Sequence, residues 1–450
     1  MTETETKLPS SAAYVVVGAG IHGLSSAWHL AMELKAKGKG SGADVIVLDK
    51  TGIGAGASGI ACGCVRNMYM TGPIHSILRH SVDVWTYDPV AFGFQQVGYI
   101  SAGEANQAAD YEKIHSSQNS VGYHSDLYQG KDAKNFLKKI WPDFKTANID
   151  VVLHEKISGY AGTRQAVAGL AQKCRDHGVR IFSGVEVTGY QTASSGGHVA
   201  KVMTNKGAVA CEMVVLGLGT WTPKHWAMLG RGDTVEAKYP DGATVKKDMW
   251  TYWRLLEGEV YIDRPYRTAA DMDPPVLHVE LMNTPVVDQR TGKELQDHLY
   301  VYWKNGAERM DRPGVQGGTI PIEIGPKAVT DPYGHANDEY QAEPGFADYL
   351  TSAMGQLMGR FETCRKDFRE RRNGGIGAFT PDNVPIFDFV APNVYMIADS
   401  NHGFKMTGAG KLVAKLLTGD NRVPELVPFR LSRFQEGKTF GASNSHCPWV

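Results

Sequence analysis

The chain has 450 residues, of which 42% are hydrophobic and 21% charged, and its formal net charge is −1. That length exceeds one compact core and suits two or three domains, or one domain carrying a large insertion. Scattered Lys and Arg with a near-zero balance argue against nucleic acid or an anionic membrane as main partner, and leave room for a small anionic substrate held by one or two local cations.

The opening segment, MTETETKLPSS, is polar and carries Glu3 and Glu5 where a secretory signal wants positive charge. No apolar run reaches the ~18 residues of a membrane span. The expected location is therefore the cytoplasm. Tyr14-Val15-Val16-Val17 predicts a short buried strand. Gly18, Gly20 and Gly23 then form G-x-G-x-x-G, and Leu24, Ala27, Trp28, Ala31 and Leu34 follow at helical spacing. One glycine makes the tight turn, one lets backbone approach a pyrophosphate, and one lets helix pack on strand. Ile21 and His22 stand at the helix start, where free N–H groups and a partial positive charge favour phosphate.

A polar, Gly-rich turn at 35–43 leads into a second strand, residues 44–49 (DVIVLD), that ends in an acid. A carboxylate at that tip, Asp49, suits a ribose hydroxyl pair. Lys50 and a second small-residue loop, 51–61, follow directly and suit a cofactor lying flat across the backbone. The six cysteines are sparse and without repeating spacing, which fits a reducing compartment. Cys62-Gly63-Cys64 is the one close pair. With no second pair or His cluster nearby it predicts no metal site and reads as two small residues in a tight loop.

Further strands are predicted at Gly184-Val185-Glu186-Val187, at 211–216 running into a glycine turn with Gly217, Gly219 and Trp221, and at 393–399. The last leads through Ser400-Asn401-His402-Gly403-Phe404-Lys405 into a helix at 407–417. Two aromatic runs, Trp250/Tyr252/Trp253 and Tyr300-Val301-Tyr302-Trp303, alternate as half-buried strands do. Their rings suit core packing, with pocket lining as the alternative. A nucleotide domain is thus assembled from three separated pieces of chain.

These blocks, in this order, resemble the D-amino-acid oxidase/sarcosine oxidase (DAO) family of FAD enzymes. The resemblance is carried by the glycine motif with Asp49, the loop into Cys64-Val65-Arg66-Asn67-Met68-Tyr69, and Leu216-Gly217-Leu218-Gly219-Thr220-Trp221. Thr380-Pro381-Asp382-Asn383-Val384-Pro385 and His402-Gly403-Phe404-Lys405 complete it. Gly20-Ile21-His22-Gly23-Leu24 and the loop to Arg66 look most like sarcosine oxidases and dimethylglycine dehydrogenases. The implied fold is α/β: a Rossmann-like FAD-binding domain from 10–88, 158–226 and 372–420, and an α+β substrate domain with an antiparallel sheet from 89–157 and 227–371. Strand-like runs at 251–262, 276–282 and 298–304 fit that sheet. The tail, 421–450, with Pro424, Pro428 and Pro448, would wrap the surface or meet a partner.

The resemblance implies hydride transfer to flavin N5 from a carbon next to an amine nitrogen, then hydrolysis of the iminium product. For an N-methyl amino acid this is demethylation. Gly18, Gly20, Ile21, His22, Gly23, Asp49, Lys50, Ser58, Gly59, Val187, Gly217, Gly219, Trp221, Asp382, Gly403, Phe404 and Lys405 are the implied cofactor contacts. Arg66 falls where sarcosine oxidases bind a carboxylate, and Lys405 where they place a second cation near substrate and flavin. An Arg fork with a Lys point charge makes a sensible carboxylate clamp. His402 is a loop residue or a general base, and Tyr69 lines the pocket.

Ile60 and the stretch Gly374-Gly375-Ile376-Gly377 stand where relatives attach flavin through His or Cys, which implies non-covalent FAD, with Cys62 or Cys64 as the remaining route to a link. Gln316 falls where the oxidases carry an oxygen-activating lysine, with Lys304 nearby in sequence, so the electron acceptor is O2 or a redox partner. The alternatives are oxidation of a D-amino acid or 2-hydroxy acid, the flavin subunit of a larger complex or other oligomer, and a non-catalytic dinucleotide sensor.

Overall fold

The computed structural model describes residues 7–193, 197–306, 312–326, 343–369, 375–399, 402–420 and 422–441. Gly374, Ser400 and Asn401 therefore lie outside the described residues, as do Asn421 and the end of the tail from 442 on, with Cys447 and Pro448.

The first strand, Ser11–Val17, lies between Val45–Asp49 and Gly207–Leu216 in a parallel sheet. Arg180–Ser183 adds to the outer side of Val45–Asp49, and Val394–Ala398 adds to Gly207–Leu216. The result is five parallel strands with Ile386–Ala391 antiparallel on one edge, and Val199–Thr204 and Val187–Thr192 continue antiparallel from the start of Gly207–Leu216 to make eight. Such strands are buried on both faces, which is why they read as unbroken apolar runs. Val15, Val16 and Val17 are all buried, each contributing about 1.5–3 kcal/mol. Helix Ile21–Ala36 covers one face, packed on helices Thr163–Asp176 and Gly408–Leu417. The expected strand at 184–187 is corrected: the parallel strand ends at Ser183, the chain turns at Gly184 with φ +71°, and a new strand begins at Val187.

A second eight-stranded sheet runs in the order Phe368–Arg369, Glu257–Tyr261, Gly314–Gly318, Leu299–Asn305, Val276–Leu281, Tyr99–Gly103, Val151–Glu155, Ser125–Gln129. All neighbours are antiparallel except Val276–Leu281 with Tyr99–Gly103. The expected single run at 251–262 divides. Thr251–Arg254 joins Ile322–Gly325 and Ile376–Phe379 in a separate small sheet, and Leu255-Leu256 carries the chain across to Glu257–Tyr261.

Side chains of a strand alternate between faces, and here the two faces differ sharply. Val260, Leu277, Val279, Val301, Trp303 and Val315 pack into an apolar core with Ala133, Leu137, Leu350 and Met354 of two covering helices. Their alternates are Glu257, Glu259, His278, Glu280, Tyr300, Tyr302, Lys304 and Gln316. That second face is polar yet mostly buried, because it is turned toward the parallel-sheet half of the molecule.

Candidate active site

One long cavity runs from the tips of the parallel strands to the polar face of the second sheet. At its strand-tip end the chain leaves Val17 through Gly18 at φ +104°, a conformation that excludes most side chains. A Cβ on Gly23 would stand 1.8 Å from the Gly18 carbonyl oxygen, and one on Gly18 would stand 2.3 Å from that of Gly217. The glycines therefore press the turn, the helix and the Gly207–Leu216 strand end together. Helix Ile21–Ala36 begins without a side-chain cap from Gly20 and without an acidic residue in its first turn. Its Ile21 N–H donates to Ser58 Oγ at 3.1 Å.

Asp49 is held by its own loop. Oδ2 accepts from Ala19 N at 2.8 Å, and Oδ1 accepts from Thr51 N at 2.9 Å and Gly52 N at 2.8 Å. Thr51 Oγ1 also donates to Oδ1 at 3.3 Å, so Oδ1 is taken up by the loop, while Oδ2, with one donor for its two lone pairs, keeps room for a hydroxyl. Lys50 Nζ sits 4.3 Å from the Trp221 ring centre. His225, also in the wall, is pushed down to about 4 by burial and so is neutral, with Tyr190 Oη 2.6 Å from its Nδ1.

The far end of the cavity is cationic and aromatic. Strand Cys64–Val65 pairs with Gly159–Ala161 and delivers Arg66, 5% exposed, into the wall. Its guanidinium bonds to the Met68 carbonyl and lies 4.6 Å from the Tyr69 ring centre and 5.9 Å from that of Tyr99. Lys405 enters the same cavity from the loop before helix Gly408–Leu417. Buried Phe404 positions that loop: its ring stacks on Trp85 at 5.8 Å, and its carbonyl accepts from Trp85 Nε1 at 2.9 Å. Tyr99, Glu257, Tyr300, Tyr302 and Thr319 complete this end, with Tyr302 Oη donating to Glu257 Oε1 at 2.8 Å.

Of the implied cofactor contacts, Gly18, Gly20, Ile21, His22, Asp49, Lys50, Ser58, Val187, Gly217, Gly219, Trp221, Gly403, Phe404 and Lys405 lie in the cavity wall. Gly23 and Gly59 do not; they make close backbone contacts behind it. Asp382 stands outside the wall, its carboxylate engaged by Arg433 at 2.8 and 2.9 Å, so it anchors the C-terminal segment.

Three implied catalytic residues also sit outside the wall. Tyr69 is fully buried between Arg66 and the His402 ring, 5.4 Å away. His402 is buried, and its Nδ1 meets the Asp399 carbonyl. Burial first, then Lys405, pushes it down to about 3, so the ring is neutral. That placement suits the loop-residue alternative rather than a base. Gln316 is fully buried on the polar sheet face, in register with Lys304. Lys304 lies 4.5 Å from the Tyr160 ring centre, also outside the cavity wall. In the aromatic runs, Tyr300 and Tyr302 line the cavity while Val301 and Trp303 face the core; Trp250 and Tyr252 are core.

Sequence reasoning missed Tyr99, Glu257, Thr319 and Asp399. The alternation of Glu257 and Glu259 with apolar residues was the available signal for the second of these. Asp399 Oδ2 accepts from His402 N at 3.0 Å and lies 2.7 Å from His22 Nε2. Among the described residues no group of three or more His, Cys, Asp or Glu could hold a metal, and no helix is long and apolar enough to cross a membrane. A cavity with bare glycine backbone, a helix start without acidic residues and a fixed carboxylate at one end suits a dinucleotide's phosphates and ribose. Its continuation to Arg66 and Lys405 leaves room for the flavin and a small anion.

The sequence pattern of the family described as FAD dependent oxidoreductase (DAO) matches residues 13–416. Over 225 residues the chain is 27% identical to 4-methylaminobutanoate oxidase (formaldehyde-forming) of Paenarthrobacter nicotinovorans, covering 48% of this chain and 25% of that protein. Over 215 residues it is 27% identical to sarcosine oxidase subunit beta of Rhodobacter capsulatus, covering 45% and 48%. The matched stretches thus span about a quarter and about half of those relatives. L-proline dehydrogenase from P. horikoshii superposes with a TM-score of 0.72 at 21% identity, covering 96% of this chain and 99% of that one. Glycine oxidase from Bacillus cereus gives 0.63 at 15%, covering 93% and 98%. At these identities the likeness is one of fold.

Proposed function

The chain belongs to the FAD-dependent oxidoreductase (DAO) family, and from that premise we propose that it oxidises an N-methylated or secondary amino acid. FAD supplies the acceptor for a hydride from the carbon beside the amine nitrogen; the iminium product then hydrolyses, releasing formaldehyde when that carbon is a methyl. The observation that carries the reading is that Arg66 and Lys405 share one cavity wall with the dinucleotide cradle. Arg66 holds the substrate carboxylate through its planar fork, and Lys405 adds a second positive charge. Tyr99 and Tyr300 displace water and orient the amine against the flavin. The activities of the two partial relatives, both named for N-methyl amine substrates, favour this class over a D-amino acid or 2-hydroxy acid.

The test is the visible spectrum of the purified protein under anaerobic addition of sarcosine, dimethylglycine and longer N-methyl amino acids. Bleaching with formaldehyde in the quenched mixture supports the reading; bleaching by a primary D-amino acid or 2-hydroxy acid alone replaces it. Re-admitting air then separates oxidase from dehydrogenase. A second reading, a flavin subunit of a complex, draws on the subunit named among the relatives. Bleaching that appears only with a co-purified partner would establish it.

A further inference from the structure

Cys62 and Cys64 both line the cavity, between Ser58 at the cofactor cradle and Arg66 at the cationic end. The three-residue bend is fixed at both ends. Thr163 Oγ1 donates to the Ala61 carbonyl at 2.9 Å, and Cys64 pairs with Tyr160 across the short sheet. Between them Gly63 takes φ +75°, and a Cβ there would stand 2.2 Å from the Ala161 carbonyl oxygen. Both side chains reach the cavity wall, near enough for each thiol to shift the other's ionisation, and Cys62 Sγ donates to the Gln316 carbonyl oxygen at 3.7 Å. Both cysteines are free thiols.

The two thiols differ as the members of a redox pair do. Burial pushes Cys62 well above the usual thiol range. The neighbouring Cys62 thiol holds Cys64 below it, with Lys304 and Lys405 assisting against burial. A thiolate is the nucleophile in disulfide chemistry, and nearby cations favour it.

We propose that Cys62 and Cys64 form a redox-active dithiol that exchanges two electrons with the bound flavin. Two S–H bonds break and one S–S bond forms, while two electrons and two protons pass to oxidised FAD, giving FADH2. Reduction of the disulfide runs the same equation backwards, and dioxygen or the enzyme's acceptor restores FAD. This exchange needs bound FAD but not the amine reaction.

The experiment uses the FAD-loaded protein and does not depend on any substrate. Trypsin cleavage after Lys50 and Arg66 isolates peptide 51–66, whose only cysteines are these two. In air-equilibrated holoprotein, quenched and alkylated under denaturing conditions, that peptide is expected as the unalkylated disulfide. After anaerobic dithionite it is expected doubly alkylated. Apoprotein in the same air is expected to form the disulfide at least ~10-fold more slowly, since free dioxygen is a poor oxidant of a buried thiol. Dithionite titration should consume about twice the reductant per FAD in the wild type as in Cys62→Ser or Cys64→Ser, because a disulfide is itself a two-electron couple. Either serine variant suffices if the other does not fold. Double alkylation in every state with equal titrations would overturn the proposal, and so would equal oxidation with and without FAD. Failure of every amine to bleach the flavin would overturn the proposed function and leave this exchange standing.

Discussion

Replacing Arg66 with Ala tests the carboxylate clamp most directly. Arg66 as a whole is 5% exposed, so little water stands ready to take its place against a substrate carboxylate. A hydrogen bond to a charged group contributes about 1.5–3 kcal/mol, and 1.4 kcal/mol is tenfold in an equilibrium constant. The expected rise is therefore roughly 10- to 150-fold in the substrate concentration giving half-maximal flavin reduction. Lys405 stays in the wall, which holds the loss near that of one contact. Truncation also removes the donor to the Met68 carbonyl and the packing on Tyr69. That structural penalty acts on any substrate, so the assay compares two: an N-methyl amino acid and an N-methyl amine of similar size without the carboxylate. Anaerobic stopped-flow reduction should show the penalty for the acid alone. An equal penalty on both, or none on the acid, would refute the clamp. Arg66→Lys should fall between, keeping the charge and losing the fork.

Gly18→Ala should give a colourless protein, read as the ratio of flavin to protein absorbance, because the added Cβ meets the Gly217 carbonyl and the φ is unfavourable; a fully yellow variant sinks the account of the turn. Asp49→Ala should weaken FAD at least ~10-fold, as the loop loses the acceptor of three backbone N–H groups and the ribose its partner; an unchanged Kd removes Asp49 from the site. His29, His75, His225 and His402 are all depressed, mainly by burial, the first three to about 4 and the last to about 3. The unfolded chain binds their protons first, so unfolding free energy should fall as pH drops from ~6.5 toward 4, by about 1.4 kcal/mol per pH unit for each ring. Denaturant titrations at several pH values check this, and a flat profile contradicts it. For the same reason, activity profiles should show no ionisation of His402 near neutrality, and its substitution by Asn should leave the profile's shape unchanged.

The nucleotide end was legible because its signals are local. Three valines into a glycine turn, a helical period and an acid closing the second strand are each readable within a few residues, and their partners follow from βαβ geometry. The substrate end was less so. Tyr99, Glu257 and Tyr300 meet only because their strands share a sheet, and strand order is not written in any one strand. Alternation in 300–303 was visible, but which face looks at the cavity depended on what covers the other. The expected strand at 184–187 was displaced because Gly184 ends one strand and frees Val187 to begin an antiparallel one. Asp382 carried a matching motif, yet its partner, Arg433, lies 51 residues on, in a tail with no periodic signal.

One carboxylate oxygen joins the two ends of the cavity. Asp399 Oδ2 receives the backbone N–H that starts the loop carrying Lys405, and it also meets the His22 ring in the first turn of the nucleotide helix. A carboxylate there only accepts, so the His22 ring presents an N–H at Nε2. From the other side Trp85 fixes Phe404, the residue directly before Lys405. The loop that carries Lys405, proposed to meet the substrate, is therefore referenced to helix Ile21–Ala36, whose start suits the cofactor phosphates. A shift of the sheet against the parallel-sheet half would move Tyr99 and Tyr300, while Asp399 keeps the Lys405 loop tied to helix Ile21–Ala36. Reactive geometry degrades steeply with displacements of about 1 Å, and tying the Lys405 loop to the helix of the proposed cofactor cradle removes one source of such displacement.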